Sequence, residues 1–131
     1  MKKLIEVKDL KKWFYVGKSI AGKREALRAV DGLSFFINKK EVLGLVGESG
    51  CGKTTCGKML LRIIDPTSGS IFFDNEEITY LDKNKMKRFR RRMMIIYQDP
   101  FGSLDPRMRI GKAISEPLEV HNIGTAYERG E

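Results

Sequence analysis

The sequence predicts an α/β fold in which a core built on a parallel sheet is joined to an antiparallel β portion. Residues 42–46 form a short apolar run between turn residues, as expected of a strand buried on both faces of a parallel sheet. A glycine-rich loop and a helical apolar pattern follow this run directly, giving the order strand, loop, helix. The length of 131 residues, 41% of them hydrophobic, suits a single globular core.

The antiparallel portion is predicted from the N-terminal part of the chain. Residues 4–10 alternate between apolar and polar, which indicates a strand with one face in water. The aromatic residues 13–15 follow, and residues 17–25 are polar and contain two glycines, as in a loop. A second strand is predicted over residues 33–37.

Helical spacing after the glycine-rich loop predicts a helix that ends at Asp65 and Pro66. Its apolar face is predicted to carry Cys56, Met59, Leu60, Ile63 and Ile64.

Further elements are predicted along the rest of the chain: a strand over 70–73, a helix over 82–92 with Met86, Phe89 and Met93 inward, a strand over 94–97, and a helix from near Ile110 that Pro117 kinks or shortens.

The glycine-rich loop carries the strongest chemical signal. Gly47, Gly52, Lys53 and Thr54 fill the pattern GxxxxGK(S/T), in which backbone N–H groups wrap a polyphosphate and glycines allow the close approach. This pattern predicts binding of ATP and Mg²⁺, with Lys53 on the β- and γ-phosphates and the Thr54 hydroxyl on the metal. The alternative is a flexible glycine loop with a solvated lysine. The predicted nucleotide contacts are Gly47, Ser49, Gly50, Cys51, Gly52, Lys53, Thr54 and Thr55.

Three stretches of sequence extend this signal over nearly the whole chain: VDGLSFFINKKEVLGLVGESGCGKTT, LLRIIDPTSGSIFFDNEEI and RRMMIIYQDPFGSLDPRM. With them the chain resembles the ATP-binding subunits of ABC transporters, in particular the oligopeptide and dipeptide importer branch. The resemblance implies a P-loop NTPase (RecA-like) core with an N-terminal antiparallel β portion. Residues 1–131 would be the N-terminal part of such a domain, with the phosphate loop at 47–55 and the glutamine loop at 98–107.

The resemblance also implies roles for two residues outside the phosphate loop. Gln98 would contact magnesium and the attacking water and would sense the γ-phosphate, although a buried loop amide is the alternative. Phe14 stands where the family stacks an aromatic ring on adenine. Trp13 and Tyr15 fit the same chemistry, and a core aromatic is a further alternative.

Several family features are missing from this sequence. It has no LSGGQ-like signature, no second acidic strand motif and no switch histidine, so we expect an incomplete ABC ATPase domain. Little or no hydrolysis is expected from this chain alone, because phosphoryl transfer needs groups from several elements. Glu48 and Asp99 are predicted to be loop residues, and His121 a surface residue.

The net charge of +8 favours anionic partners, and residues 85–92 hold six basic residues in eight. That run has the spacing of an amphipathic helix with a solvated face, so no nucleic-acid partner is expected. Neither an export signal nor an apolar stretch long enough for a bilayer is visible, and Cys51 and Cys56 are predicted to be free thiols.

The resemblance implies a cytoplasmic subunit, peripheral on the inner face of the cell membrane. It would energise import of peptides or similar solutes, with transmembrane permease subunits, a second ATP-binding subunit and a solute-binding protein as partners. Membrane contact would come only through these partners. Two alternatives stay open: a regulatory or degenerate nucleotide-binding module that does not hydrolyse ATP, and a DNA-associated ABC ATPase.

Overall fold

The computed structural model describes residues 2–16, 25–99, 102 and 104–129 of the chain. The chain divides into two compact units, Met1–Asp82 and Lys83–Glu131. A four-stranded sheet and the phosphate loop belong to the first unit, and two helices belong to the second.

The sheet consists of β1 (Lys3–Val16), β2 (Glu25–Asn38), β3 (Ser68–Phe73) and β4 (Glu76–Glu77). The strand order is β2-β1-β3-β4, and every neighbouring pair is antiparallel. The predicted antiparallel portion is therefore confirmed. Both N-terminal strands are longer than predicted: β1 runs through the aromatic residues 13–15, and β2 begins at Glu25. The rest of the predicted loop, residues 17–24, lies outside the described residues.

A β-bulge interrupts the predicted alternation in β1. Asp9 has a positive φ of 46°, and the β1–β2 register shifts between Val7 and Leu10. Both of these apolar residues are buried although they are three positions apart. A Cβ on Gly69 would lie 2.4 Å from the Asp9 carbonyl oxygen, so β3 approaches β1 closely at the bulge. Glycine is therefore required at this point of β3.

Helix α1 spans Lys53–Leu60 and buries Cys56 and Met59. It ends before the predicted stop at Asp65 and Pro66, because Arg62 adopts a left-handed φ of 52°. The Arg62 N–H donates to the Met59 carbonyl, and the next residue's N–H donates to the Lys58 carbonyl, which together close the helix end. Ile63 is consequently exposed rather than on the helix's apolar face.

The core of the first unit combines both sheet and helix side chains. Its buried apolar members are Val7, Leu10, Val30, Cys56, Met59, Ile71, Phe73 and Ile78.

The second unit contains α2 (Lys83–Arg90) and α3 (Ile110–Val120). Met86 and Phe89 are buried as predicted. Helix α3 continues through Pro117 instead of being shortened there, and the Pro117 carbonyl accepts a hydrogen bond from the His121 N–H at 3.1 Å. Among the described residues, no helix combines the length and apolar character needed to span a bilayer.

The prediction of two further strands, over residues 42–46 and 94–97, is wrong for this structure. Residues 42–46 and 94–97 pair with no neighbour among the described residues. The first segment is also not buried, since the Val42 and Val46 side chains are 96% and 92% exposed. A strand forms only where a neighbouring strand supplies hydrogen bonds, and an apolar pattern alone cannot supply that neighbour.

Candidate functional site

The candidate site is the phosphate loop and the start of α1. The loop follows the extended apolar segment 42–46, and α1 begins at Lys53 directly after it. Gly52 occupies the N-cap position with a φ of 94°, and no side chain caps the helix there. The first N–H groups of a helix have no intrahelical partner, so this helix start presents donors and positive potential toward the loop.

Two glycines of the loop lie in close contact with neighbouring atoms. A Cβ on Gly52 would lie 2.1 Å from the Ala29 carbonyl oxygen in β2, and one on Gly47 would lie 2.6 Å from the Cys51 Sγ. Gly52 is therefore required for the loop to lie directly against the β2 backbone, and Gly47 lets the Cys51 side chain approach the start of the loop.

The Lys53 ammonium lies inside this loop. Its Nζ donates to the Gly47 carbonyl at 2.7 Å and to the Glu48 carbonyl at 2.6 Å, and it lies 3.3 Å from the Cys51 Sγ. The loop is thus wrapped around a positive charge. An anion entering the loop would find this ammonium among the backbone donors.

The remaining predicted loop residues lie at the same place. Cys51 donates its N–H to the Glu48 carbonyl at 3.3 Å, which forms the turn through Ser49 and Gly50. Thr54 is exposed and Thr55 half-buried in the first turn of α1. The backbone donors, one ammonium and an exposed hydroxyl make up a donor set that fits a triphosphate with a divalent cation.

A cavity of about 290 Å³ adjoins the loop within the first unit. Its lining includes Asp31 from β2, the apolar Leu45 and Val46, and the loop residues Gly52 and Lys53. Strand β2 therefore forms one wall of the site, which no sequence pattern predicted.

The three aromatic residues of β1 differ in their surroundings. The Trp13 indole donates to the Asp31 carboxylate at 3.2 Å, and the Arg28 guanidinium lies 4.8 Å from the indole ring centre. Phe14 is 39% exposed and has the Lys12 ammonium 5.1 Å from its ring centre, while Tyr15 is 58% exposed. Successive residues of a strand point to opposite faces, so Phe14 lies on the other face from Trp13 and Tyr15.

Gln98 belongs to the second unit, where it is exposed at a bend after the extended segment 94–97. The alternative considered for Gln98, a buried loop amide, is therefore not what the structure shows. Residues 100, 101 and 103 of the predicted glutamine loop lie outside the described residues.

The other residues considered from the sequence have ordinary environments. Glu48 and Asp99 are exposed loop residues, as predicted, and His121 is half-buried at the end of α3. Both cysteines are free, with Cys51 exposed and Cys56 buried. Burial raises the pKa of the Cys56 thiol.

Sequence reasoning missed Arg28, Ala29 and Asp31. These residues contact Trp13 and the phosphate loop although they are distant from both in sequence. The pairing of β1 with β2 brings them to Trp13, and the packing of the loop against β2 brings them to the loop.

The curated relatives of this chain include ATP-binding proteins of peptide transport. The oligopeptide transport ATP-binding protein AppF of Bacillus subtilis is 40% identical over 130 residues, which are 98% of this chain and 40% of the relative. A putative peptide import ATP-binding protein of Brucella ovis is 52% identical over 105 residues, which are 80% of this chain and 33% of that relative. The chain thus spans between a third and two fifths of the length of these relatives.

Solved structures support the fold. A dimeric ATP-binding cassette in a post-hydrolysis state, bound to ADP and Pi, superposes with a TM-score of 0.76 at 23% identity, over 97% of this chain and 53% of the other. A nucleotide-free cassette from an ABC transporter gives a TM-score of 0.65 at 19% identity, over 97% of this chain and 44% of the other. The predicted fold class is confirmed.

The family assignment rests on the phosphate loop together with a family-model match. The model described as ABC transporter matches residues 30–129, a range that includes the whole loop and both of its flanking elements. This chain belongs to the ABC transporter family.

Proposed function

We propose that this chain is the ATP-binding, energy-coupling portion of an ABC importer for peptides or similar solutes. The observation that carries the proposal is the phosphate loop itself, in which Gly47 and Gly52 permit close approach and Lys53 lies at the centre. The substrate class follows from the relatives, which are named as oligopeptide or peptide transport proteins.

The loop residues have distinct proposed roles. Lys53 leaves the carbonyls of Gly47 and Glu48 and binds the β- and γ-phosphate oxygens. The backbone N–H groups from Ser49 to Thr55 hold the remaining oxygens at the start of α1. The Thr54 hydroxyl ligates Mg²⁺, whose chemistry is to neutralise phosphate charge.

Two further residues have roles that the family resemblance implies. Gln98, whose side chain is exposed in the second unit, would contact the magnesium and the attacking water once nucleotide is bound. Phe14 stacks on adenine, which agrees with its partly exposed ring. The Lys12 ammonium lies 5.1 Å from the Phe14 ring centre, and Trp13 contacts both Arg28 and Asp31.

A titration with a fluorescent ATP analogue tests nucleotide binding. We expect Mg²⁺-dependent binding by the 131-residue chain, displaced by unlabelled ATP and lowered at least about tenfold by Lys53→Ala, since one charged contact to phosphate is lost. Lys58→Ala is the matched control, because Lys58 lies in the same helix but away from the loop. Magnesium-independent binding, or equal loss in both variants, would contradict the proposal.

Hydrolysis requires more than this chain supplies. Its sequence contains no LSGGQ-like segment, and phosphoryl transfer depends on groups that clamp the γ-phosphate from several sides. We expect the isolated chain to release little or no phosphate from ATP. Turnover that Lys53→Ala abolishes would show this expectation to be wrong.

The proposed partners are transmembrane permease subunits, a second ATP-binding subunit and a solute-binding protein, and the proposed location is the inner face of the cell membrane. We expect an affinity-tagged chain to recover permease subunits from detergent-solubilised membranes of its native cell. Recovery of DNA at low salt, with no membrane protein, would instead favour a DNA-associated role.

A further inference from the structure

A three-residue group, hereafter the Trp13 cluster, connects β1 to the part of β2 that borders the phosphate loop. It consists of Trp13, Arg28 and Asp31. The indole Nε1–H donates to the Asp31 Oδ1 at 3.2 Å, and the Arg28 guanidinium donates to the Asp31 Oδ2 at 3.3 Å. The guanidinium also lies 4.8 Å from the indole ring centre. Each member thus contacts both others.

The cluster lies directly after two irregularities in the pairing of β1 with β2. Pairing between β1 and β2 shifts between Leu10 and Lys12 and again between Lys12 and Trp13. Regular pairing resumes at Trp13, which lies opposite Arg28. The contacts of this pair with each other and with Asp31 therefore hold the two strands together at the first regular pair beyond the shifts.

Trp13 is also attached to the other neighbouring segment of the first unit. Its backbone N–H donates to the Thr67 Oγ1 at 2.9 Å, just before β3. The position of β1 next to Phe14 is therefore determined from two sides.

The same stretch of β2 touches the phosphate loop. A Cβ on Gly52 would lie 2.1 Å from the Ala29 carbonyl, and Asp31 lines the cavity together with Gly52 and Lys53. Residues 28–31 consequently contact both the loop and Trp13.

We propose that the Trp13 cluster sets the distance between the adenine-stacking ring of Phe14 and the phosphate loop. Asp31 and Arg28 are then positioning residues for the nucleoside end of the nucleotide, and they act through Trp13 and the strand it belongs to. This inference rests on the proposed function, because it assumes that ATP occupies the loop. It adds that affinity for the nucleoside depends on Arg28, and on Asp31, which borders the cavity beside the loop.

The test compares two ligands that share a phosphate chain. ATP and inorganic tripolyphosphate are each titrated against the bound fluorescent analogue in wild type and in Asp31→Ala. We expect Asp31→Ala to weaken ATP about tenfold and tripolyphosphate by less than about twofold, since only ATP uses the Phe14 ring. Glu25→Ala, another exposed acidic residue of β2, is the matched control and is expected to change neither affinity.

Conservative variants separate positioning from general stability. Asp31→Asn keeps an oxygen for the indole N–H and is expected to restore most of the ATP affinity. Arg28→Met keeps the long side chain but loses the charge. It should lose less ATP affinity than Asp31→Ala does, and its tripolyphosphate affinity should again change less than its ATP affinity. This variant also keeps the inference testable if Asp31→Ala does not fold.

Trp13 is the single tryptophan of the chain, so its fluorescence reports the cluster directly. We expect the Trp13 emission to shift in Asp31→Ala without any nucleotide present. If the emission shifts but the affinities for ATP and tripolyphosphate fall equally, or neither affinity falls, the inference is overturned. Failure of wild type to bind ATP would instead contradict the proposed function.

Discussion

Two glycines near the start of α1 lie in opposite environments. Gly52 has a φ of 94° and a Cβ there would meet the Ala29 carbonyl at 2.1 Å, whereas a Cβ on Gly57 would meet no atom within 4 Å. We expect Gly52→Ala to lower the free energy of unfolding by about 1–2 kcal/mol or more, from left-handed strain plus the clash, and to abolish ATP binding. Gly57→Ala should raise it by roughly 0.5–1 kcal/mol, because alanine favours a helix interior.

Urea denaturation of both variants, with ATP titration alongside, checks this pair. Equal stability changes in the two variants would mean that the contact between the loop and β2 is absent in solution.

The two thiols also differ at the residue scale. Cys51 is exposed with the Lys53 Nζ 3.3 Å from its sulfur, whereas Cys56 is buried and its burial raises the pKa of that thiol. A raised pKa leaves less thiolate at neutral pH, so we expect iodoacetamide to modify Cys51 well before Cys56. Mg²⁺ and ATP should protect Cys51, since the loop would close on the phosphates.

Peptide mass spectrometry of timed reactions follows both sites, and Cys51→Ser is the control for the faster one. Faster modification of Cys56, or no protection by nucleotide, would contradict the proposed position of the phosphates.

The end of α1 depends on Arg62. This side chain is buried, donates from Nε to the Ile78 carbonyl at 3.0 Å, and pairs with Asp65, which is itself mostly exposed. Arg62→Ala leaves a buried carbonyl without that donor, so we expect a loss of about 1–3 kcal/mol in the free energy of unfolding. Asp65→Ala removes an ion pair with one exposed partner and should cost less than about 1 kcal/mol.

Arg62→Gly adds a second comparison, because glycine relieves the left-handed φ of 52° that Arg62 adopts. It should be more stable than Arg62→Ala when both are measured by thermal unfolding. The reverse order would indicate that the helix ends differently in solution.

Among the helices and strands, glycine placement and apolar spacing predicted the features that depend on residues close together in the sequence. The start of α1, the position of β3 and the inward residues Met86 and Phe89 follow from glycine placement and apolar spacing. The predicted end of α1 lies too far along the chain, since no spacing rule predicts an arginine in a left-handed conformation. The bulge at Asp9 likewise escaped the alternation rule, because it depends on the close approach of Gly69.

The candidate site was predictable only in part for the same reason. Its phosphate loop is contiguous in sequence, and each residue there has a chemical role that the pattern names. The wall formed by Ala29 and Asp31 comes from the packing of β2 against a loop about twenty residues further along the chain, which no local sequence pattern predicts.

Across the molecule as a whole, apolar side chains are distributed unevenly. Val42 and Val46 are 96% and 92% exposed in the first unit, and Met94 and Ile96 are 87% and 91% exposed in the second. Contiguous exposed apolar residues are uncommon on monomeric soluble proteins and promote association. Experiments in solution can therefore test whether these segments are exposed there as well.

One double variant, compared with a single-variant control, measures that burial. We expect Val42→Thr/Val46→Thr to change the free energy of unfolding by no more than about 0.5 kcal/mol, because fully exposed side chains contribute little. It should also reduce binding of a hydrophobic dye and concentration-dependent association in sedimentation velocity. Val7→Thr, at a residue only 2% exposed, is the control and should cost roughly 1–3 kcal/mol through a buried hydroxyl. A loss in the double variant as large as that in Val7→Thr would mean that residues 42–46 are covered in solution. The apolar run would then form the buried strand that its sequence predicts.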